Sequence, residues 1–117
     1  MDLPPQIQDK LAQFQTLQQQ MQMITLQKQQ LMVNSNDVDN ALSELGKISG
    51  KDKVYQAAGM LLIESSKGES EKFLKEEKDL NETRVKVLEK QEKKISEKYE
   101  ELRKELQTML GQRGETG

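Results

Sequence analysis

The chain has no cysteine, no histidine and no tryptophan, only two prolines, and four aromatic residues among its 117. Each absence removes a class of protein. Without cysteine there is no disulfide framework and no thiolate zinc site. Without histidine the commonest transition-metal ligand and the usual general base near neutral pH are both missing. Hydrophobic residues make up 33% of the chain, against roughly 45–50% in an ordinary globular domain, so a compact layered core is not expected. No apolar run approaches the roughly 20 residues of a membrane-spanning helix. The opening Met1-Asp2-Leu3-Pro4-Pro5 has none of the features of a secretory signal, and a soluble, cytoplasmic protein is expected. One-sided charge is absent too: 18 Lys+Arg stand against 20 Asp+Glu, a net −2, which gives no reason to expect a nucleic-acid or membrane partner.

Charge is nevertheless abundant, at 32% of residues, and its distribution divides the chain. Residues 1–46 hold 2 Lys and 5 Asp+Glu, with 11 Gln in the first 30 residues. Residues 71–117 hold 12 Lys+Arg and 12 Asp+Glu. Between them lies a short stretch punctuated by Gly46, Gly50, Gly59 and Gly68.

Both flanks carry a helical coiled-coil pattern. Positions 17, 21, 24, 28, 31, 35, 38, 42 and 45 alternate steps of four and three, and all are apolar but Lys28 and Ser35. Ile7, Leu11 and Phe14 extend this stripe upstream through a local phase slip of the stammer kind at Phe14–Leu17. Positions 74, 78, 81, 85, 88, 92, 95, 99, 102, 106 and 109 repeat the pattern, interrupted by Lys78, Asn81 and Glu92. A 3.5-residue period sustained this long is the signature of helices packed along a seam. Pro5 suits a first helical turn, Gly46 suits a helix C′ position, and Ser66–Glu69 has capping-box spacing. The expected elements are a helix over 5–45, a linker with a β-hairpin over 46–68, a helix over 69–110 and a flexible tail over 111–117, all in one domain.

The helices match in length, so a chain folding back on itself pairs residues of constant index sum. A register near 119–120 pairs Leu11 with Met109, Phe14 with Leu106, Leu17 with Leu102, Met21 with Tyr99, Ile24 with Ile95, Leu31 with Leu88 and Leu45 with Leu74. It also sets Lys28 opposite Glu92, a polar layer within the seam. A parallel dimer of each helix is the alternative that the pattern leaves open.

The middle segment reads as strands. Val54–Ala57 and Met60–Glu64 are β-prone runs around Ala58–Gly59. An isolated two-stranded hairpin is marginal in water, and this chain offers no further strands. Val54, Tyr55, Met60, Leu61 and Ile63 are therefore expected at an interface between subunits.

Chemistry is sparse. There is no nucleophile–base pair, no phosphate loop and no Gly-rich nucleotide motif, and the carboxylates of 71–105 interleave with Lys as a solvated helix face. Neither an enzyme nor a bound cofactor is expected. Gln18–Gln20 lies within the helical stripe and reads as helix surface, not as a prion-like tract. Met21 and Met109 fall on the seam, whereas Met23 and Met32 fall off it. Leu3, Ile7, Leu11 and Phe14 at one end of the chain meet Leu106, Met109 and Leu110 at the other. Two helices cannot cover all of that apolar surface, which makes it a candidate contact site.

A helix, one β-hairpin and a returning helix of matched length resemble the beta-type subunits of prefoldin, an archaeal and eukaryotic chaperone. The resemblance rests on Leu3-Pro4-Pro5, on Leu11-Ala12-Gln13-Phe14-Gln15 with the Gln-rich run after it, and on Val54-Tyr55 followed by Gly59 and Met60-Leu61-Leu62-Ile63. Gly46 to Gly68 leaves room for one hairpin, as in the beta type. The resemblance implies a hexamer of two alpha and four beta subunits whose hairpins form a double β-barrel platform. It implies client capture without ATP at the free ends of the coiled coils, and transfer of non-native proteins to a group II chaperonin. The residues alone also admit a generic antiparallel coiled-coil scaffold that binds one folded partner.

Overall fold

A computed structural model describes the backbone of residues 3–116 and the side chains of residues 3–111. It is mainly helical: α1 (Pro5–Lys47), β1 (Val54–Ala58), β2 (Leu61–Ser65) and α2 (Lys67–Thr116) follow in order. Pro4 accepts the first backbone bonds of α1 from Ile7 and Gln8, both at 3.0 Å, so Pro5 occupies a position whose missing N–H costs nothing. Ser66 caps α2, its Oγ accepting from the N–H of Glu69 at 3.1 Å. That bond satisfies one of the four backbone donors a helix start leaves open.

Two helix ends differ from expectation. Gly46 is helical and α1 runs on to Lys47. A C′ glycine turns left-handed, and the only glycine at positive φ among the described residues is Gly59. Likewise α2 does not stop before Gly111 but continues to Thr116, in place of the expected tail; Gly117 lies outside the described residues. Glycine inside a helix costs about 1 kcal/mol relative to alanine, which a long helix absorbs.

The turn of the hairpin is also displaced by one residue. Ala58 pairs with Leu61, so Gly59–Met60 form a two-residue loop, with Gly59 at φ 62°. Glycine at positive φ in the first loop position matches a type II′ turn. Met60, expected in the strand, sits fully exposed at its tip.

Contacts gather into two parts, Met1–Lys28 with Val87–Gly117, and Gln29–Lys86. In each, the two helices lie antiparallel, and the shielded residues trace the 3.5-residue stripes. Ile7, Ile24, Leu102 and Leu106 are buried in the first part, Val38 and Leu45 in the second.

The register is not the one expected. Facing pairs of the first part include Phe14 with Tyr99 and Lys10 with Glu105, and those of the second include Asn34 with Asn81, Asp39 with Lys78 and Ile48 with Lys67. Their index sums run from 113 to 117, not 119 to 120. Only Lys28–Glu92 sums to 120, and there two long side chains reach along the seam. The cause is the period itself. Sliding one stripe by three or four residues lays apolar layers on apolar layers again, so hydrophobic pattern alone cannot separate these registers.

Candidate functional site

Two regions hold the residues singled out above. The first is built from the start of α1 and the last turns of α2. Ile7 (2% exposed), Leu102 and Leu106 form a buried cluster, with Leu3, Leu11, Phe14, Leu17 and Met109 packed against it and partly exposed. Leu110 stands out to solvent. The ring of Phe14 stacks on Tyr99 with centroids 4.4 Å apart and planes 25° from parallel, a pairing the expected register did not include. Gln8 closes the extreme end by donating from Nε2 to the carbonyl of Leu3 at 2.8 Å. Of the seven expected contact residues, Ile7 and Leu106 are thus internal, four are half-covered and only Leu110 is open. A groove of about 510 Å³ runs beside them, floored by Leu17 and Leu102 and flanked by the ion pair of Lys10 with Glu105.

The second region is the hairpin. Val54 pairs with Ser65, Tyr55 with Glu64, Gln56 with Ile63 and Ala57 with Leu62. Because side chains alternate along a strand, Val54, Leu61 and Ile63 share one face while Tyr55 points to the other. Tyr55, Leu61, Leu62 and Ile63 are each more than half exposed. Both strands keep an unpaired outer edge, since the sheet has two strands only. The hairpin's base is braced: Lys67 donates from Nζ to the carbonyl of Ile48 at 2.9 Å, and the Ser49 N–H donates to Asp52 Oδ2 at 2.8 Å.

Within the seam, every polar interruption of the α2 stripe has a polar partner on α1. Glu92 lies 3.4 Å from Lys28. Lys78 lies 3.0 Å from Asp39, which holds the ammonium above its ordinary pKa through a hydrogen bond and charge attraction. Asn81, 1% exposed, donates from Nδ2 to Asn34 Oδ1 at 2.7 Å. Sequence reading matched only the first of these. The expected register would have set Asn81 against Val38 and Lys78 against Leu42; testing each register for partners to polar seam residues would have rejected it.

No helix is long and apolar enough to cross a membrane, and no group of three or more acidic residues is placed to hold a metal, among the described residues. What the geometry offers is surface: an apolar cluster at the helix ends and a two-stranded sheet with open edges.

Comparison with known proteins agrees with this architecture. The family model for prefoldin subunits matches residues 8–113. The prefoldin subunit beta of Archaeoglobus fulgidus is 39% identical over 109 residues, covering 93% of this chain and 94% of that protein. That of Thermococcus onnurineus is 36% identical over the same shares of each chain. The crystal structure of the prefoldin beta subunit from Thermococcus strain KS-1 superposes with a TM-score of 0.81 at 35% identity, covering 93% of this chain and 96% of that one. The beta2 subunit from the same strain has a TM-score of 0.70 at 22% identity over 78% of this chain and 97% of its own, a likeness of fold. With its two long helices, its single hairpin and these relatives along nearly its whole length, the chain belongs to the prefoldin family, as a beta-type subunit.

Proposed function

We propose that this chain is one subunit of an ATP-independent cytoplasmic chaperone, assembled with an alpha-type prefoldin subunit in a hexamer of two alpha and four beta chains. Its hairpin joins the platform, and its helix ends capture non-native proteins for transfer to a group II chaperonin. The observation that carries client capture is the cluster around Ile7, Leu102 and Leu106. Apolar side chains continue through Leu3, Leu11, Phe14, Met109 and Leu110 to the end of a two-helix seam, where no third element among the described residues covers them. Because Ile7 and Leu106 are internal, a client engages the half-covered rim first and takes over the cluster as the helix ends part.

Non-native proteins expose apolar segments of no fixed shape, so several weak sites serve better than one fitted pocket. At roughly 25 cal/mol per Å², a tip burying about 100 Å² contributes only a few kcal/mol before ordering costs. Several tips acting together supply the avidity. The test is deletion of residues 1–8 and 107–117, assayed for hexamer formation and for suppression of aggregation of an unfolded protein without nucleotide. Assembly should persist while holding activity collapses. Full activity after the deletion would place capture elsewhere, and loss of assembly would show that the helix ends hold the hexamer together.

A further inference from the structure

The hairpin is apolar on both faces, and one assembly contact cannot cover both. Val54, Gln56, Ala58, Leu61, Ile63 and Ser65 share the first face, where Val54, Gln56 and Ser65 are already half-buried. The second face carries Tyr55, Ala57, Leu62 and Glu64, all exposed, with Tyr55 at 56% and Leu62 at 73%. Strands closing into a barrel bury the inward face alone. A half-buried sheet in contact with water on its other side normally alternates apolar with polar, and Leu62 beside Tyr55 and Ala57 breaks that rule.

We propose that the Tyr55–Ala57–Leu62–Glu64 face is a second contact surface whose occupant is the same face of a second copy of this chain, stacked back to back. The inference rests on the reading that hairpins build the platform, and adds a contact which that reading does not require. The face is self-complementary. Ala57 and Leu62 stand directly opposite each other, as do Tyr55 and Glu64. A twofold axis parallel to the strands, lying between two stacked hairpins, sets each residue over the cross-strand partner of its equivalent. Leu62 then fills the hollow over Ala57 of the second copy, and the Tyr55 hydroxyl reaches the Glu64 carboxylate, a donor meeting an acceptor. Both contacts occur twice, as an isologous interface demands. An alpha-type partner or a helix would fit the apolar pair but would find no such reciprocal match. The face offers on the order of 300 Å² per copy, well short of the roughly 1,200 Å² of a stable free-standing complex. It therefore acts only as an added contact between chains already held in one assembly.

The absence of cysteine makes the test direct. Ala57→Cys and Gln56→Cys are introduced separately into the full chain, alone and co-assembled with an alpha-type subunit, and treated with a short bismaleimide. Sheets stack about 10 Å apart and strands lie about 4.8 Å apart, so back-to-back hairpins set the two backbones at position 57 about 11 Å from each other, with both introduced thiols directed into the space between and closer still. Covalent dimers through position 57 but not through position 56 are expected. Equal cross-linking at both positions would mean that neighbours meet at strand edges and would overturn the stacked face. So would no cross-linking at 57 in a complex whose native mass is unchanged, and there the platform reading would survive. A chain that is monomeric before any substitution would overturn both. As a second measure, Leu62→Glu with Leu61 and Ile63 intact should yield a smaller assembly that keeps its hairpin, whereas an assembly of unchanged mass would overturn the proposal.

Discussion

Replacing Asn81 by leucine should stabilise this chain while loosening its register. The side chain is 1% exposed and makes one side-chain bond, to Asn34 at 2.7 Å. Asn34 itself is exposed, so its carbonyl regains water once the partner is gone and no buried acceptor is stranded. The loss is then the net worth of one neutral hydrogen bond, about 1 kcal/mol. The gain is the burial of a leucine side chain in a seam, about 1.5–3 kcal/mol, reduced by any misfit in shape. The balance favours leucine by about 1 kcal/mol, or ~4 °C in thermal midpoint for a chain of this size. Asn81→Ala loses the same bond and leaves a void, so it should cost about 1–2 kcal/mol. Thermal melts followed by helix ellipticity at fixed concentration compare the two directly. Register is read by disulfide formation in doubly substituted chains, Leu42→Cys with Leu74→Cys for the observed sum near 116, and Leu45→Cys with Leu74→Cys for the slipped one. With Asn81 the first pair alone should oxidise readily; with leucine both should. A leucine variant that melts as low as the alanine variant would refute the reasoning, because the hydrogen bond would then be worth more than the burial that replaces it.

The Lys28–Glu92 pair follows the same logic with more charge and less burial. Lys28→Leu with Glu92→Leu should raise the midpoint by about 1 kcal/mol equivalent, while Lys28→Leu alone, which leaves a half-buried carboxylate unpartnered, should lower it; a double variant less stable than either single one would contradict this. Leu61→Lys with Ile63→Lys should give soluble helical monomers by sedimentation, since charge on an exposed strand opposes edge pairing, and an intact assembly would remove the hairpin from the platform. Stability should be flat between about pH 6 and 9. Lys78, raised by Asp39, loses its contribution only as pH climbs through the lysine range. Glu100, lowered by Arg103, loses its own only as pH falls through the carboxylate range. With no histidine and no cysteine the chain lacks the side chains whose ordinary pKa falls in that window, and a midpoint that drifts across it by more than an α-amino group explains would point to a coupling among these helices not visible in the pairs above.

The elements were legible because each is dictated locally. Stripes at 3.5-residue spacing, Pro5 at a helix start, Ser66 as a cap and a β-prone run on either side of Gly59 need no knowledge of distant residues. Helix ends were less legible, since Gly46 and Gly111 can end a helix or be carried inside one, and the difference is only about 1 kcal/mol. Surfaces were partly legible: the hairpin's exposed residues and their faces followed from strand alternation, but which residues stand opposite each other depended on a turn one residue later than expected, which sets Ala57 across from Leu62 instead of Met60.

Register was the part that apolar pattern could not supply, and the reason bears on how such chains specify themselves. A seam made only of Leu, Ile, Val and Met is degenerate under a slip of half a heptad, because every layer finds an equivalent one. Degeneracy is broken by residues that lose most when misplaced. Asn81 set against Val38 would bury a polar group without a partner, at a cost of about 1–3 kcal/mol, and Lys78 set against Leu42 would give up its pairing with Asp39. Together these losses outweigh any small difference in apolar fit between registers. In the observed alignment Asn81 meets Asn34 and Lys78 meets Asp39 in the same part of the chain as the hairpin, so the strands leave the helices in one fixed relation. A platform built by joining hairpins depends on that relation, because a slip at the helix ends would shift the edges that the strands present. In the proposed platform the polar seam residues thus act on assembly through the register of their own chain, and their removal should appear first as heterogeneity of the oligomer, before any loss of helix.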